Sequence, residues 1–196
     1  MLKPFITFAA CLTLAACGMS DGTPDYKNPE IPVQDRVEDL LNRMTVEEKL
    51  GQLLCPLAWR MYEKTENSVG ISDEYRKFID EQHGGMLWAT FRADPWTRKT
   101  LENGLNPQLA AEAYNALQRY AIDSTRLGIP IILAEEAPHG HMAIGATVFP
   151  TSIGLASTWD KELLSEVGRT IARELRAQGG HIGYGPVIDL AREPRW

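Results

Sequence analysis

Cysteine is too scarce in this sequence for disulfides to hold a fold together. The three cysteines are Cys11, Cys17 and Cys55; the first two lie in or at the end of an apolar leader, so Cys55 stands alone and stability must rest on a packed core. Basic residues are also short, with 20 Lys and Arg against 26 Asp and Glu and a net charge of -6. No basic cluster interrupts that balance, which argues against nucleic acid as a partner. A Gly-rich phosphate loop joining a strand to a helix is missing, because Gly179-Gly180-His181-Ile182-Gly183 precedes a strand. A dinucleotide fold therefore lacks its key element, and no cofactor is expected. Long apolar helices are absent as well. Pro138 to Trp159 contains no charged residue, yet Pro138, Gly140, Gly145, Pro150 and Gly154 would leave a lipid-facing backbone unsatisfied. It reads as a long uncharged loop, and such loops inside compact domains are usually functional.

What is present begins with an address. Lys3 is followed by an apolar stretch from Phe5 to Ala16, closed by Leu14-Ala15-Ala16-Cys17. The run is far shorter than the roughly 20 residues that span a bilayer and has the layout of a secretory signal. Small residues directly before a cysteine resemble a bacterial lipobox. The expectation is a signal peptide over 1–16, lipidation of Cys17, a polar Pro- and Ser-containing tether over 17–31, and a body over 32–196 held to a membrane outside the cytoplasm. An ordinary signal peptide that happens to contain a cysteine is the rival reading.

Within the body, Val37, Leu40, Leu41 and Met44 follow helical spacing, and Thr45-Val46-Glu47-Glu48 forms a capping box for a second short helix through Leu54. Cys55 then reads as a small buried hydrophobe, with a reactive thiol as its rival. A helix from Ser72 to about Gln82 precedes an apolar strand, Met86 to Ala89. Asn106-Pro107 opens another helix with cap and first-turn proline in place. A strand follows at Ile129 to Leu133 and ends in Ala134-Glu135-Glu136. Asp160 caps a helix carrying Leu163, Leu164, Val167, Ile171 and Leu175, and Ile182 to Leu190 is a third strand interrupted by Pro186. Strands alternating with helices predict an α/β fold with a parallel sheet buried on both faces. A closed (β/α)8 barrel, of which three βα units are present, suits the pattern.

In such a barrel the chemistry lies at the carboxyl ends of the strands. Glu135-Glu136 closes the second strand and Asp189 the third. Adjacent strand residues face opposite ways, so at most one of the two glutamates can point into the mouth. Solvated rim charges are the alternative. Trp88, Trp96, Trp159 and Trp196 are candidates for stacking on sugar rings or for filling a core. His139-x-His141 with His181 is the one arrangement suggestive of zinc, but ligands spaced by two on a loop are weak evidence, and no metal is expected.

Three ordered motifs make the sequence recognisable. Glu135-Glu136-Ala137-Pro138-His139-Gly140 is the first, and the run from Gly145 through Val148-Phe149-Pro150-Thr151-Ser152 to Thr158-Trp159-Asp160 is the second. The third is Gly185-Pro186-Val187-Ile188-Asp189-Leu190-Ala191-Arg192-Glu193-Pro194-Arg195-Trp196. With Leu40 to Gln52 at the start, they resemble the amino-terminal barrel of glycoside hydrolase family 3, the β-glucosidase-like enzymes. The resemblance covers about Asp35 to Trp196. It implies a retaining, exo-acting β-glycosidase acting on an oligosaccharide or β-glucoside, with Glu136 holding hydroxyls of the nonreducing-end sugar and His139 in a structural turn. Asp189 is carried as a second substrate-binding candidate, either touching the site or orienting a neighbouring arginine. The family's nucleophile and acid/base would lie beyond residue 196, so no catalytic residue is assigned here and the chain by itself is expected to be inactive. A stand-alone sugar-binding lipoprotein is the alternative.

Overall fold

A computed structural model describes residues 23–190 and residue 192. The segment expected to be a signal peptide, Cys17, Ala191 and the closing Glu193-Pro194-Arg195-Trp196 lie outside the described residues. The chain divides into two units, Met1–Arg43 and Met44–Trp196. In the first, a turn of 3-10 helix at Asp25–Lys27 precedes helix α1, Val33–Arg43. Asp39 accepts from the Tyr26 backbone N–H at 3.1 Å, and Arg36 donates to the Tyr26 carbonyl at 3.0 Å. Part of the segment expected to be a tether is therefore pinned to α1.

The second unit opens with α2, Val46–Gly51. Its capping box forms as expected: Thr45 Oγ1 accepts from Glu48 N at 3.2 Å and Glu48 Oε2 from Thr45 N at 2.9 Å. The helix stops at Gly51 instead of reaching Leu54, because Leu53 and Leu54 donate to Leu50 and Gly51 in the tighter i→i+3 pattern that ends helices. Cys55 consequently sits in irregular chain, half-buried, not on a helical face. Burial pushes its thiol pKa up, which keeps it a thiol.

A hairpin absent from the sequence expectations follows, β1 (Tyr62–Lys64) antiparallel to β2 (Val69–Ile71). Helix α3, Asp73–Asp80, is capped by Ser72 and buries Tyr75, Phe78 and Ile79. Gly84 then passes so close to Phe78 that a Cβ there would lie 1.9 Å from the ring. Strand β3 (Met86–Trp88), helix α4 (Pro107–Asp123), strand β4 (Ile132–Glu136), helix α5 (Ser152–Ala156), helix α6 (Lys161–Ala177) and strand β5 (Ile182–Tyr184) complete the order. The three strands form one parallel sheet in chain order, β3-β4-β5. α4 and α6 are the crossovers that parallel pairing requires.

Leu87 and Leu133 on the sheet pack with Ala110, Ala113 and Leu117 of α4 and with Tyr75, whose hydroxyl donates to the Leu117 carbonyl at 2.7 Å. The second strand begins later than expected because Gln118 takes both backbone groups of Ile131, donating to its carbonyl at 2.7 Å and accepting from its N–H at 3.2 Å. The third is shorter than expected: its ladder ends at Tyr184, ahead of Pro186, which has no N–H to offer. The expectation of strands buried on both faces fails at β5, which is exposed throughout. The uncharged segment 138–159 is not wholly loop, since α5 lies within it. No helix among the described residues is long and apolar enough to cross a membrane.

Candidate functional site

The two glutamates that end β4 face opposite ways, as strand geometry requires. Glu135 is fully buried. Glu136 stands at the carboxyl end of the sheet with its side chain 18% exposed. Its Oε1 accepts from Trp88 Nε1 at 3.0 Å and lies 3.6 Å from Arg92 Nη1. Trp88 closes β3, the neighbouring strand, so parallel pairing alone brings the indole beside the carboxylate. Arg92 arrives by a sharper route: Ala89 adopts a left-handed conformation, φ 58°, which reverses the chain after β3. The returning segment then pairs with the loop after β4, with Arg92 opposite Ala143 and Ala93 N donating to Met142 O at 2.9 Å.

Asp94 fixes the guanidinium from the other side, Arg92 Nε to Asp94 Oδ2 at 2.6 Å. Burial works to raise the Asp94 pKa, but the Thr97 backbone N–H, the Arg92 guanidinium and the Thr97 hydroxyl together hold it below the usual aspartate value. Aromatic rings surround this acid-base group. The Arg92 guanidinium lies 4.7 Å from the Trp96 ring centre, Trp59 meets Trp96 edge-on at 4.8 Å, and Tyr184 meets Trp88 at 6.0 Å. Carboxylates that accept paired hydroxyl bonds, beside rings that pack against apolar sugar faces, suit the binding of a polyol ring.

Asp189 does not join this group. It is exposed in the segment after β5, and no hydrogen bond or ion pair ties it to another described residue. The three histidines are spread over separate duties. His139 Nδ1 lies 3.0 Å from Phe149 O, with Phe149 N donating back to His139 O at 2.8 Å. The turn needs Gly140 at φ 128°, where a Cβ would come within 2.2 Å of Thr147 O. His181 Nδ1 accepts from Leu133 N at 3.0 Å, and burial together with the Arg176 charge lowers its pKa. His141 is buried next to Glu135, and no group of three metal-ligating side chains forms among the described residues. Trp159 is 93% exposed, and Trp196 lies outside the described residues. Sequence reasoning missed Arg92, Asp94, Trp59 and Tyr184, none of which sits in a recognisable motif.

Fold and site together define an α/β protein with an acidic and aromatic cluster at the carboxyl ends of its parallel strands. Residues 45–196 match the profile of the glycosyl hydrolase family 3 N-terminal domain, and the chain belongs to that family. It is 33% identical over 185 residues to β-glucosidase C of Emericella nidulans, covering 90% of this chain and 27% of the relative. To a periplasmic β-glucosidase/β-xylosidase of Dickeya chrysanthemi it is 31% identical over 182 residues, covering 87% and 26%. A solved β-glucosidase structure from Erythrobacter marinus superposes with a TM-score of 0.68 at 29% identity, over 89% of this chain and 21% of that one. The chain thus spans about a quarter of the length of these curated relatives.

Proposed function

We propose that these residues form the opening βα units of a family 3 barrel and hold the nonreducing-end sugar of a β-linked glucoside or xyloside, in an exo-acting, retaining β-glycosidase. The observation that carries this reading is the state of Glu136: it stands at a strand end, is gripped on one oxygen by Trp88 and Arg92, and has Oε2 without a hydrogen bond among the described residues. That oxygen is an acceptor for sugar hydroxyls. Retaining hydrolysis needs two carboxyl groups about 5 to 5.5 Å apart, one as nucleophile and one as acid/base. Glu135 is walled off from substrate and Asp94 is engaged by Arg92 and Thr97. On this reading both catalytic carboxylates come from further βα units and a later domain, and residues 23–190 bind and orient. The site residues are Glu136 and, by resemblance only, Asp189. Export and anchoring through Cys17 complete the proposal, in keeping with periplasmic relatives.

The test is hydrolysis of aryl β-glucosides and aryl β-xylosides by the full-length protein, with the anomer released followed by NMR. Release of the β-anomer above a no-enzyme control supports the reading. No turnover of either glycoside, or release of the α-anomer first, refutes it.

A further inference from the structure

We infer that Glu135, which the proposed function leaves unused, is the positioning residue for Arg92, one of the two groups that grip Glu136; the inference rests on that function only for its activity readout. A carboxylate with no exposed surface is unfavourable unless its oxygens meet donors. Glu135 meets two backbone donors: Oε1 accepts from Thr90 N at 3.0 Å, and Phe91 N lies 3.4 Å from Oε1 and 3.3 Å from Oε2. These amides belong to the reversal that starts at Ala89, where a residue with a Cβ holds a left-handed backbone. Trp88 directly precedes the reversal and Arg92 directly follows it. Strand pairing places Trp88, whereas Arg92 is aimed at Glu136 by the conformation that Glu135 locks from beneath.

The surroundings of Glu135 fit a positioning role and not a role in contact with substrate. His141 Nε2 is 3.8 Å from Glu135 Oε2, too long for a hydrogen bond, and the ring is itself buried. Thr90 Oγ1 and both His141 ring nitrogens have no hydrogen-bond partner among the described residues. The backbone amides of Thr90 and Phe91 are thus the groups that engage the carboxylate. Adjacent glutamates divide the work across the sheet, with Glu135 below setting the turn and Glu136 above meeting the ligand.

The experiment compares Glu135→Gln, Glu135→Leu and Glu136→Ala in the full-length protein, with Arg92→Ala alone and combined with Glu135→Leu. Glutamine keeps a carbonyl acceptor for the amides and should retain kcat/KM within about fivefold; leucine removes it and should lower kcat/KM by about 30-fold or more, mostly through KM. In the Arg92→Ala background the same leucine substitution should lower kcat/KM by no more than about threefold, because its effect passes through Arg92. Equal losses in both backgrounds, or a folded Glu135→Leu protein within about threefold of wild type, overturn the proposal. If the leucine variant does not fold, Glu135→Asp replaces it, with a fall of about tenfold expected because the carboxylate is withdrawn by one methylene. Activity unaffected by Glu136→Ala would sink the sugar-holding reading instead. Amide exchange then decides the role of Glu135: Thr90 and Phe91 should exchange about 100-fold faster in the leucine (or aspartate) variant than in the glutamine variant, and equal rates refute it.

Discussion

Replacing Glu136 with alanine removes one carboxylate whose two oxygens have different tasks. Oε1 is held by Trp88 at 3.0 Å and by Arg92 at 3.6 Å. Losing it strands an indole N–H that is only partly exposed, while Arg92 keeps Asp94 at 2.6 Å. The stability loss should therefore be about 1 kcal/mol, the scale of one unsatisfied donor, and should leave the protein folded. On the proposed reading, Oε2 is the oxygen offered to substrate. Hydrogen bonds to charged groups are worth roughly 1.5–3 kcal/mol each, so a carboxylate reading two hydroxyls supplies about 3–6 kcal/mol, part of it already present in the ground state. Retaining even about 2.7 kcal/mol of that as transition-state binding means a 100-fold loss in kcat/KM. The assay is steady-state hydrolysis of an aryl β-glucoside and an aryl β-xyloside by wild-type and Glu136→Ala full-length protein, with thermal melts as the folding control. A variant that melts normally and stays within about threefold of wild type on both substrates would reduce Glu136 to a rim charge.

Three further outcomes are expected, two from the structure and one from the leader sequence. The Asp94 pKa is held below its usual value of about 3.8, so the stability it gives is complete above that value and lost as pH falls through the folded one. The Tm gap between wild type and Asp94→Asn should be full near pH 6 and narrow below about pH 3.8, and a gap constant down to about pH 3 would contradict it. Residues 18–196 expressed alone should bind ANS, aggregate and show no glycosidase turnover, because Val148, Ile153, Trp159, Ile188 and Leu190 are each 70–93% exposed. A sharp cooperative melt of that monomer, or turnover by it, would refute this. Metabolic labelling with a fatty acid should mark the wild type and not Cys17→Ser; equal labelling of both ends the lipoprotein reading.

The elements legible in the sequence were those set by local chemistry. Thr45 with Glu48, Ser72, Asn106 with Pro107, and Asp160 all cap helices where their spacing placed them. What escaped depended on partners distant in sequence. The β1–β2 hairpin has three-residue strands, too short for alternation to register. The start of β4 was misplaced because Gln118, 13 residues earlier, occupies Ile131. At the site, the position of Glu136 at a strand end was legible from the sequence. Arg92 and Asp94 were not, because their approach depends on a left-handed turn at Ala89, where no glycine announces it.

Burial is uneven along the sheet, and that bears on how the site works. β3 and β4 are covered by α4 and the α3 region, with Leu87 and Leu133 fully buried. β5 is exposed throughout, and between it and α6 runs an apolar groove of about 1140 Å³ that includes Leu164, Ile171 and Ile188. Glu136 lies between these two regimes. Toward β3 it is fixed by Trp88, Arg92 and the turn beneath them, so on the proposed reading its hydroxyl recognition is preorganised and little is lost in ordering it on binding. Toward β5 its neighbour is Tyr184, 45% exposed, on a strand with no partner on its far edge among the described residues. On the proposed reading, a sugar held by Glu136 would thus have its hydroxyls met by a preorganised wall on the β3 side. On the same reading, the catalytic carboxylates would come from further chain that pairs along the free edge of β5.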